Sequence, residues 1–494
     1  MHQSAEDEYL ELLASTQKHQ YPGFVSHLKQ QDGPLREEGR VAVIEFKDSQ
    51  APQAKRIRTS TALRRCFEDS PQSSVDIRRL FVMEGLPRNF IKAFGARLRV
   101  PPSFFSAHWT SPRNAIGTWI NRPPRNYDHN DRFLLTFAKM HWVRVKPLAE
   151  DNSNLLYWMD SSIHRHLSPS TIFGASDGPL LSWEQVSFWS VAKGGSWDAI
   201  ILVDPPLRNS VRWGESPVPR EVDHEPKQPV FDLPPVLGQE GCWYPSYQSE
   251  YEAIDRVKPD KVKVPAMVSL FDDMLLLYPL KARDSTSNTI DCADVCRRLV
   301  LSAWTARLRV IEAQIAQERS RLSVEDATSV KNIDDLLALS WTRPWRPRDF
   351  SRLTRAASVL VGIDAELRRN LDALGLNSPH HNLCIWEADA WKRLLQATEL
   401  SKSRVDSMIQ TYLQATSIRQ SLSAGHLTSM ATLFIPMSLV AAIFSMNGNF
   451  AAGESHFWIF WVVAIPLVLL GCFFLFTKSG TRLFNKISLE NSPV

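Results

Sequence analysis

Two uncharged apolar runs, 430–446 (MATLFIPMSLVAAIFSM) and 457–476 (FWIFWVVAIPLVLLGCFFLF), stand near the C-terminal end of the chain and are separated by the polar stretch NGNFAAGESH. A bilayer core of about 30 Å is crossed by about 20 helical residues, with about 17 to 25 the usual range, so both runs are long enough to span it. As helices they satisfy their own backbone hydrogen bonds, which hydrocarbon demands. The competing reading, a buried hairpin in a soluble core, has to explain why neither run contains Lys, Arg, Asp or Glu.

Upstream the pattern changes twice. From about 41 to 279, short β-rich runs alternate with turn clusters: VAVIEF at 41–46, RLFVM at 79–83, FLLTFAKMHWVRV at 133–145 and WDAIILV at 197–203 predict strands. PRNFIKAFGARL at 87–98 and PAMVSLFDDMLLLY at 265–278 space their apolar residues as helices do. Strands mixed with helices predict an α/β layered domain. The proline-rich polar segments 122–131 and 204–240 read as excursions from it.

Beyond about 290 the chain turns helical. Residues 291–322 lack Gly and Pro, 348–375 end at Gly375 as a C-cap, and 386–424 again lack both breakers. No stop signal separates this last run from the first apolar segment. The two predict one rod of about 60 residues, or about 90 Å at 1.5 Å per residue, much of it outside the membrane. An isolated rod with an apolar stripe is not self-sufficient. Its partners are either the chain's own helices at 291–322 and 348–375 or copies of the rod from other chains.

The predicted organisation is an N-terminal extension (1–40), an α/β domain (41–290), helices including the start of the long stalk (291–429), a transmembrane helix (430–447), a loop (448–456), a second transmembrane helix (457–476) and a basic tail (477–494). The tail carries Lys478, Arg482 and Lys486 against Glu490, whereas the loop has Glu454 and neither Lys nor Arg. The positive-inside rule then places the tail in the cytosol, and two crossings bring the large N-terminal body to the same side. No charged-then-apolar signal sequence opens the chain, and the lack of an Arg-rich, acid-poor leader argues against mitochondrial import and leaves the plasma membrane as the default. The six cysteines form no paired zinc spacing or disulfide framework. Cys292 and Cys296, four apart, read as a small apolar helix face. A net charge of +4 over 494 residues does not suggest nucleic acid as a partner.

LTSMATLFIPMSLVAAIFSMN at 427–447 resembles the first transmembrane helix of the CorA-type divalent cation transporters, which ends in a Gly-Met-Asn signature. The match lies in Leu433, Phe434, Ile435 and Pro436, then Ile443, Phe444, Ser445, Met446 and Asn447. A short loop with Glu454, an aromatic start to the second helix and a basic tail agree with it. The resemblance implies a fold in which an α/β cytosolic domain leads into a long helical stalk and two C-terminal transmembrane helices. It also implies a homopentamer passing Mg²⁺, or a related divalent ion, down its gradient. Mg²⁺ is then cargo, and no cofactor is implied.

By the same resemblance Ser445, Met446 and Asn447 form the selectivity filter, with Asn447 meeting the hydrated ion. Stepping back along the helix from Asn447 brings Val440 or Ser438, Ile435 or Ala431, and Leu427 or Ala424 near an axis. The family's pore positions favour Ser438, Ile435, Leu427 and Ala424. One departure stands out, because the signature glycine is Ser445, whose Cβ narrows the turn. The alternative function is therefore a transport-silent relative whose cytosolic body senses or binds something else.

Other candidates are weaker. Asp272 and Asp273 are adjacent carboxylates on a partly apolar helix, read either as a solvated edge or as a regulatory cation site. HRH at 164–166 and DHND at 128–131 hold metal-ligating residue types without a second ligand cluster. GxSxG, GxxxxGK[ST], HExxH and a strand-linked GxGxxG are all absent from the sequence, so no enzyme class is indicated.

Overall fold

The computed structural model describes residues 2–30, 39–47, 52–68, 77–110, 131–141, 143–145, 157–159, 163, 165–169, 172–173, 180–207, 210–213, 220–224, 269–280, 289–322, 347–377, 383, 385–445, 455–467 and 469. The chain divides into two compact units, one of residues 1–327 and 351–406, the other of 328–350 and 407–494.

The first unit begins with helices α1 (His2–Gln17) and α2 (Pro22–Gln30) and strands β1 (Arg40–Phe46) and β2 (Gln53–Ile57). Helix α3 (Ser60–Glu68), strand β3 (Arg78–Glu84) and helices α4 (Arg88–Leu98) and α5 (Pro102–Trp109) follow. Then come β4 (Arg132–His141), β5 (Val143–Val145), β6 (Tyr157–Met159), β7 (His166–Pro169), β8 (Leu180–Lys193), β9 (Ser196–Val203), β10 (Ser210–Trp213) and β11 (Arg220–His224). They form one mixed sheet in the order β2-β1-β3-β9-β8-β7-β6-β10-β11-β5, with β4 paired to β8. Only β3 and β9 run parallel among the described pairs. Both are buried almost throughout, and so read as continuous apolar runs, because helices cover both faces.

One face packs Val41, Val43, Phe81, Met83, Ile200 and Leu202 against α1–α5. Residues 2–30, which the sequence suggests as an extension, place Tyr9, Leu13, Phe24 and Leu28 in that core. Gly95 of α4 is required there, since a methyl group at its position would overlap the Tyr9 ring. The other face meets α6 (Leu270–Leu277), which packs on β3, and α7 (Asp294–Leu322), which packs on β4. Helix α8 (Pro347–Ala373) ends in a left-handed Gly375 (φ 67°), and Leu376 N–H donates to Leu371 O at 2.9 Å, closing the cap predicted at that glycine.

Strand β4 lies at an edge of the sheet, and helices close it. Asn370 of α8 accepts from Thr136 N–H (2.9 Å) and donates to Thr136 O (2.7 Å), as a neighbouring strand would. Trp304 Nε1 of α7 donates to the same oxygen at 3.0 Å, and Thr136 Oγ1 donates to Glu366 Oε2 at 2.8 Å. Asn370→Ala leaves the buried Thr136 N–H without that acceptor while its carbonyl keeps Trp304. We expect a loss of about 1–3 kcal/mol in denaturant unfolding, with no change in secondary-structure content.

The longest helix, α9 (Ile385–Ser445), has 61 residues and no break, as the absence of Gly, Pro and cap signals over its first two thirds predicts. It is tied into the first unit where Arg297 of α7 forms a buried ion pair with Glu387 (Nε to Oε1 2.7 Å). From Ser407 onward it belongs to the second unit. Residues 458–467 of that unit are helical as well.

Candidate functional site

In the second unit α9 exposes an apolar surface that a water-soluble helix would bury. Leu427 is 69% exposed and Ile435 64%, and Met430, Phe434 and Leu439 are similarly bare. Residues 457–469 add Trp458, Trp461, Val462, Ile465 and Leu469, all exposed, with the Phe460 and Trp461 rings in contact at 5.3 Å. Exposed apolar residues this dense mark a surface meant for another apolar phase or another protein. Among the described α9 side chains of this unit, from Ser407 onward, Val440 alone is buried, with 7% of its surface exposed.

At about 100° per residue, Ala424, Leu427, Ile435 and Ser438 fall within about 80° of arc. All four are exposed, as is Ala431 within the same arc. Val440 projects from the opposite side, so the structure separates it from the face that carries Ser438. Ser438 Oγ donates to Ile435 O at 2.9 Å, which leaves only its lone pairs for a neighbour. Ser445 is the last residue of α9. Met446, Asn447 and Glu454 lie outside the described residues. Among the described residues, no helix is long and apolar enough to cross a membrane. Much of the 430–446 run's side-chain detail and residues 468 and 470–476 of the second run fall outside that set.

The remaining sequence candidates resolve into ion pairs. Asp272 Oδ2 meets Arg40 Nη1 at 2.6 Å and its Oδ1 meets Arg56 Nη2 at 2.8 Å, while Arg40 also pairs with Glu84 and lies 4.7 Å from the centre of the Phe271 ring. Two guanidinium groups thus occupy the carboxylate considered for a regulatory cation. Asp273 is buried. In HRH, the middle residue is the centre of a buried network. Arg165 binds both oxygens of Asp204 (Nε 2.8 Å, Nη2 2.7 Å) and donates to the carbonyls of His108, Trp109 and Thr110 at the end of α5. His166 belongs to β7, and His164 and the 128–130 part of DHND lie outside the described residues. Among the described residues, no group of three or more His, Cys, Asp or Glu side chains is placed to hold a metal. Cys292 and Cys296 are buried free thiols.

Sequence reading missed the arrangement around Arg165, whose partners lie far apart in the chain. His108 Nδ1 is 2.9 Å from Ser187 Oγ, and its Nε2 is 3.4 Å from Asp204 Oδ1. Burial alone would raise the Asp204 carboxyl, but Arg165 and His108 outweigh it and hold the group down to about 2. Burial drives the His108 imidazole below its ordinary value, keeping it neutral. The order Ser, His, Asp invites a hydrolase reading. Yet both carboxylate oxygens belong to Arg165, and Ser187, His108 and Asp204 are buried, which gives a substrate no approach.

Residues 298–478 match the family model described as CorA-like Mg2+ transporter protein. Over those residues, about a third of the chain, the sequence is similar to the CorA-like Mg2+ transporters. The CorA segment takes in most of α7, all of α8 and α9, and both apolar runs. Comparison with curated proteins finds no match. Among solved structures, the complete CorA magnesium transporter from Methanocaldococcus jannaschii is similar at 9% identity, with 88% of this chain and 96% of that one covered and a TM-score of 0.36. The soluble domain of CorA from the same organism is similar at 10% identity, covering 77% and 97%, with a TM-score of 0.28. At these scores neither structure carries the assignment, which rests on the family model.

Proposed function

We propose that the chain is one subunit of a homo-oligomeric, two-pass membrane channel that passes Mg²⁺ or a related divalent cation down its electrochemical gradient. The observation that carries this reading is the bare arc on α9. Ala424, Leu427, Ile435 and Ser438 line one exposed side of a helix inside the CorA segment, while Val440 opposite is buried. A helix that leaves Leu427 and Ile435 uncovered needs like helices or lipid against it. Several copies of the arc facing one another enclose a passage.

The residue types suit the cargo. Mg²⁺ surrenders its water reluctantly, so it travels hydrated and presents water protons outward. Ser438, whose own proton is committed to Ile435 O, offers lone pairs to those protons. Rings of Leu427 and Ile435 gate by excluding water when narrow. Asn447 at the mouth supplies neutral amide oxygens, with Ser445 and Met446 forming the turn before it and Glu454 in the following loop attracting cations. In this reading both chain ends lie in the cytosol, the plasma membrane is the default location, and the assembly is a pentamer of the CorA type.

Purified chain in liposomes is expected to admit Mg²⁺ faster than protein-free liposomes, measured with an entrapped fluorescent indicator. Asn447→Ala is expected to lower that flux at least about tenfold, the equivalent of about 1.4 kcal/mol. Flux no greater than that of empty liposomes from the unaltered chain would overturn the reading.

A further inference from the structure

A second polar cluster lies in the first unit, on one face of the β4–β8 pair. Lys139 is the register partner of Ser182, and His141 and Glu184 lie two places along on the same face. The side chains of Lys139 and His141 are 8% exposed and that of Glu184 2%. His141 Nε2 is 2.7 Å from Ser182 Oγ, and Ser182 Oγ donates to Glu184 Oε1 at 3.0 Å. A hydroxyl has one proton. Since Ser182 donates it to Glu184, the oxygen accepts from His141, which fixes the Nε2–H tautomer. The three groups form a directed hydrogen-bond chain from the end of β4 to a buried carboxylate.

We propose that this chain is a proton-binding site of the soluble unit, in which His141 receives the proton, Ser182 relays it and Glu184 holds it. The transfer balances. Nδ1 of His141 gains a proton from solvent as Nε2 gives its own to Ser182 Oγ, and the former Ser182 proton bonds to Glu184 Oε1. The chain then points the other way, with Glu184 donating to Ser182 and Ser182 to His141. One positive charge has entered and one carboxylate has become neutral.

The surroundings place the uptake near neutrality. Burial pushes the Glu184 carboxyl up to about 7, against the attraction of Lys139 Nζ at 3.7 Å. Asp204, just beyond β9, adds to the rise, and Arg165, just before β7, opposes it. A carboxyl whose folded value lies above its unfolded one stabilises the fold fully at low pH, and the contribution fades as pH rises through about 7. The site therefore makes acidification of the surrounding solution favour the packed sheet. It concerns the first unit alone and stands or falls independently of ion flux.

The test is the thermal midpoint of the full chain in detergent at about pH 5.5 and about pH 8. From the lower to the higher pH, the unaltered protein is expected to lose about 5 °C more than Glu184→Gln, which retains an acceptor for Ser182 but cannot titrate. Infrared spectroscopy of the unaltered chain supplies a measurement that does not depend on that variant folding. A protonated-carboxyl band present at the lower pH and absent at the higher is expected, and it should shift in Ser182→Ala, which removes the hydrogen bond to it. Equal pH dependence in Glu184→Gln and the unaltered chain, or no band sensitive to Ser182→Ala, would overturn the proposal.

Discussion

Arg165→Ala is expected to destabilise the first unit by about 3–5 kcal/mol, the cost of leaving one member of a buried pair without its partner. The figure is large for a definable reason. Arg165 answers Asp204 at both oxygens and also satisfies three carbonyls at the end of α5, so its loss strands a charge and a helix terminus together. Gln185 N–H, which donates to Asp204 Oδ2 at 2.7 Å, and the neutral His108 at 3.4 Å are too little to hold the carboxylate without Arg165. Denaturant unfolding followed by tryptophan fluorescence reads the loss. Asp204→Asn should recover part of it in the Arg165→Ala background, because two partners of one network do not act additively. The pair also sets an acid limb. Asp204 titrates lower in the fold than in the open chain, so its contribution is complete above about 4 and disappears as pH falls toward about 2. An Arg165→Ala protein as stable as the original would refute the account of α5 as anchored by this side chain.

Gly95→Ala is the second expected large effect, at about 2–4 kcal/mol despite the gain of about 1 kcal/mol that alanine brings to a helix interior. The added methyl overlaps the Tyr9 ring, which is buried and fixed by its hydroxyl donating to Val100 O at 2.7 Å. The ring must leave its slot, and α1 must move with it. Tyr9→Ala in the same protein should then cost little more, since Gly95→Ala has already removed most of what Tyr9 contributes. Full additivity of the two changes would show that the ring had found another seat.

How much of this was legible in the sequence depended on whether the signal was local. Helix α9 was readable because its first 40 residues contain no breaker, α7 for the same reason, and α8 because Gly375 marks its end. Strands β1, β3 and β9 were readable as short apolar runs. Strand β8 was not, although it is central to the sheet. Its run LLSWEQVSFWSVAK carries Ser182, Glu184, Gln185, Ser187 and Ser190 at buried positions, where pattern reading expects apolar residues. Those polar groups find partners elsewhere in the chain: His141, Lys139, His108, Arg165 and, for Ser190, the Asp131 carbonyl. Helix α1 was hidden by its polar, acidic surface, and what binds it, a ring inserted beside a glycine 86 positions later, leaves no periodic trace. The candidate arc on α9 was found by resemblance and helical stepping together. Stepping alone left Val440 and Ser438 as alternatives; in the structure Ser438 is exposed and Val440 buried.

The amide of Asn370 has a consequence for how copies of this chain meet. By mimicking a strand at Thr136, it occupies the donor and acceptor that an incoming extended peptide would need to zip onto β4. Growth of the sheet from one molecule into the next is thereby hindered at Thr136 of that margin.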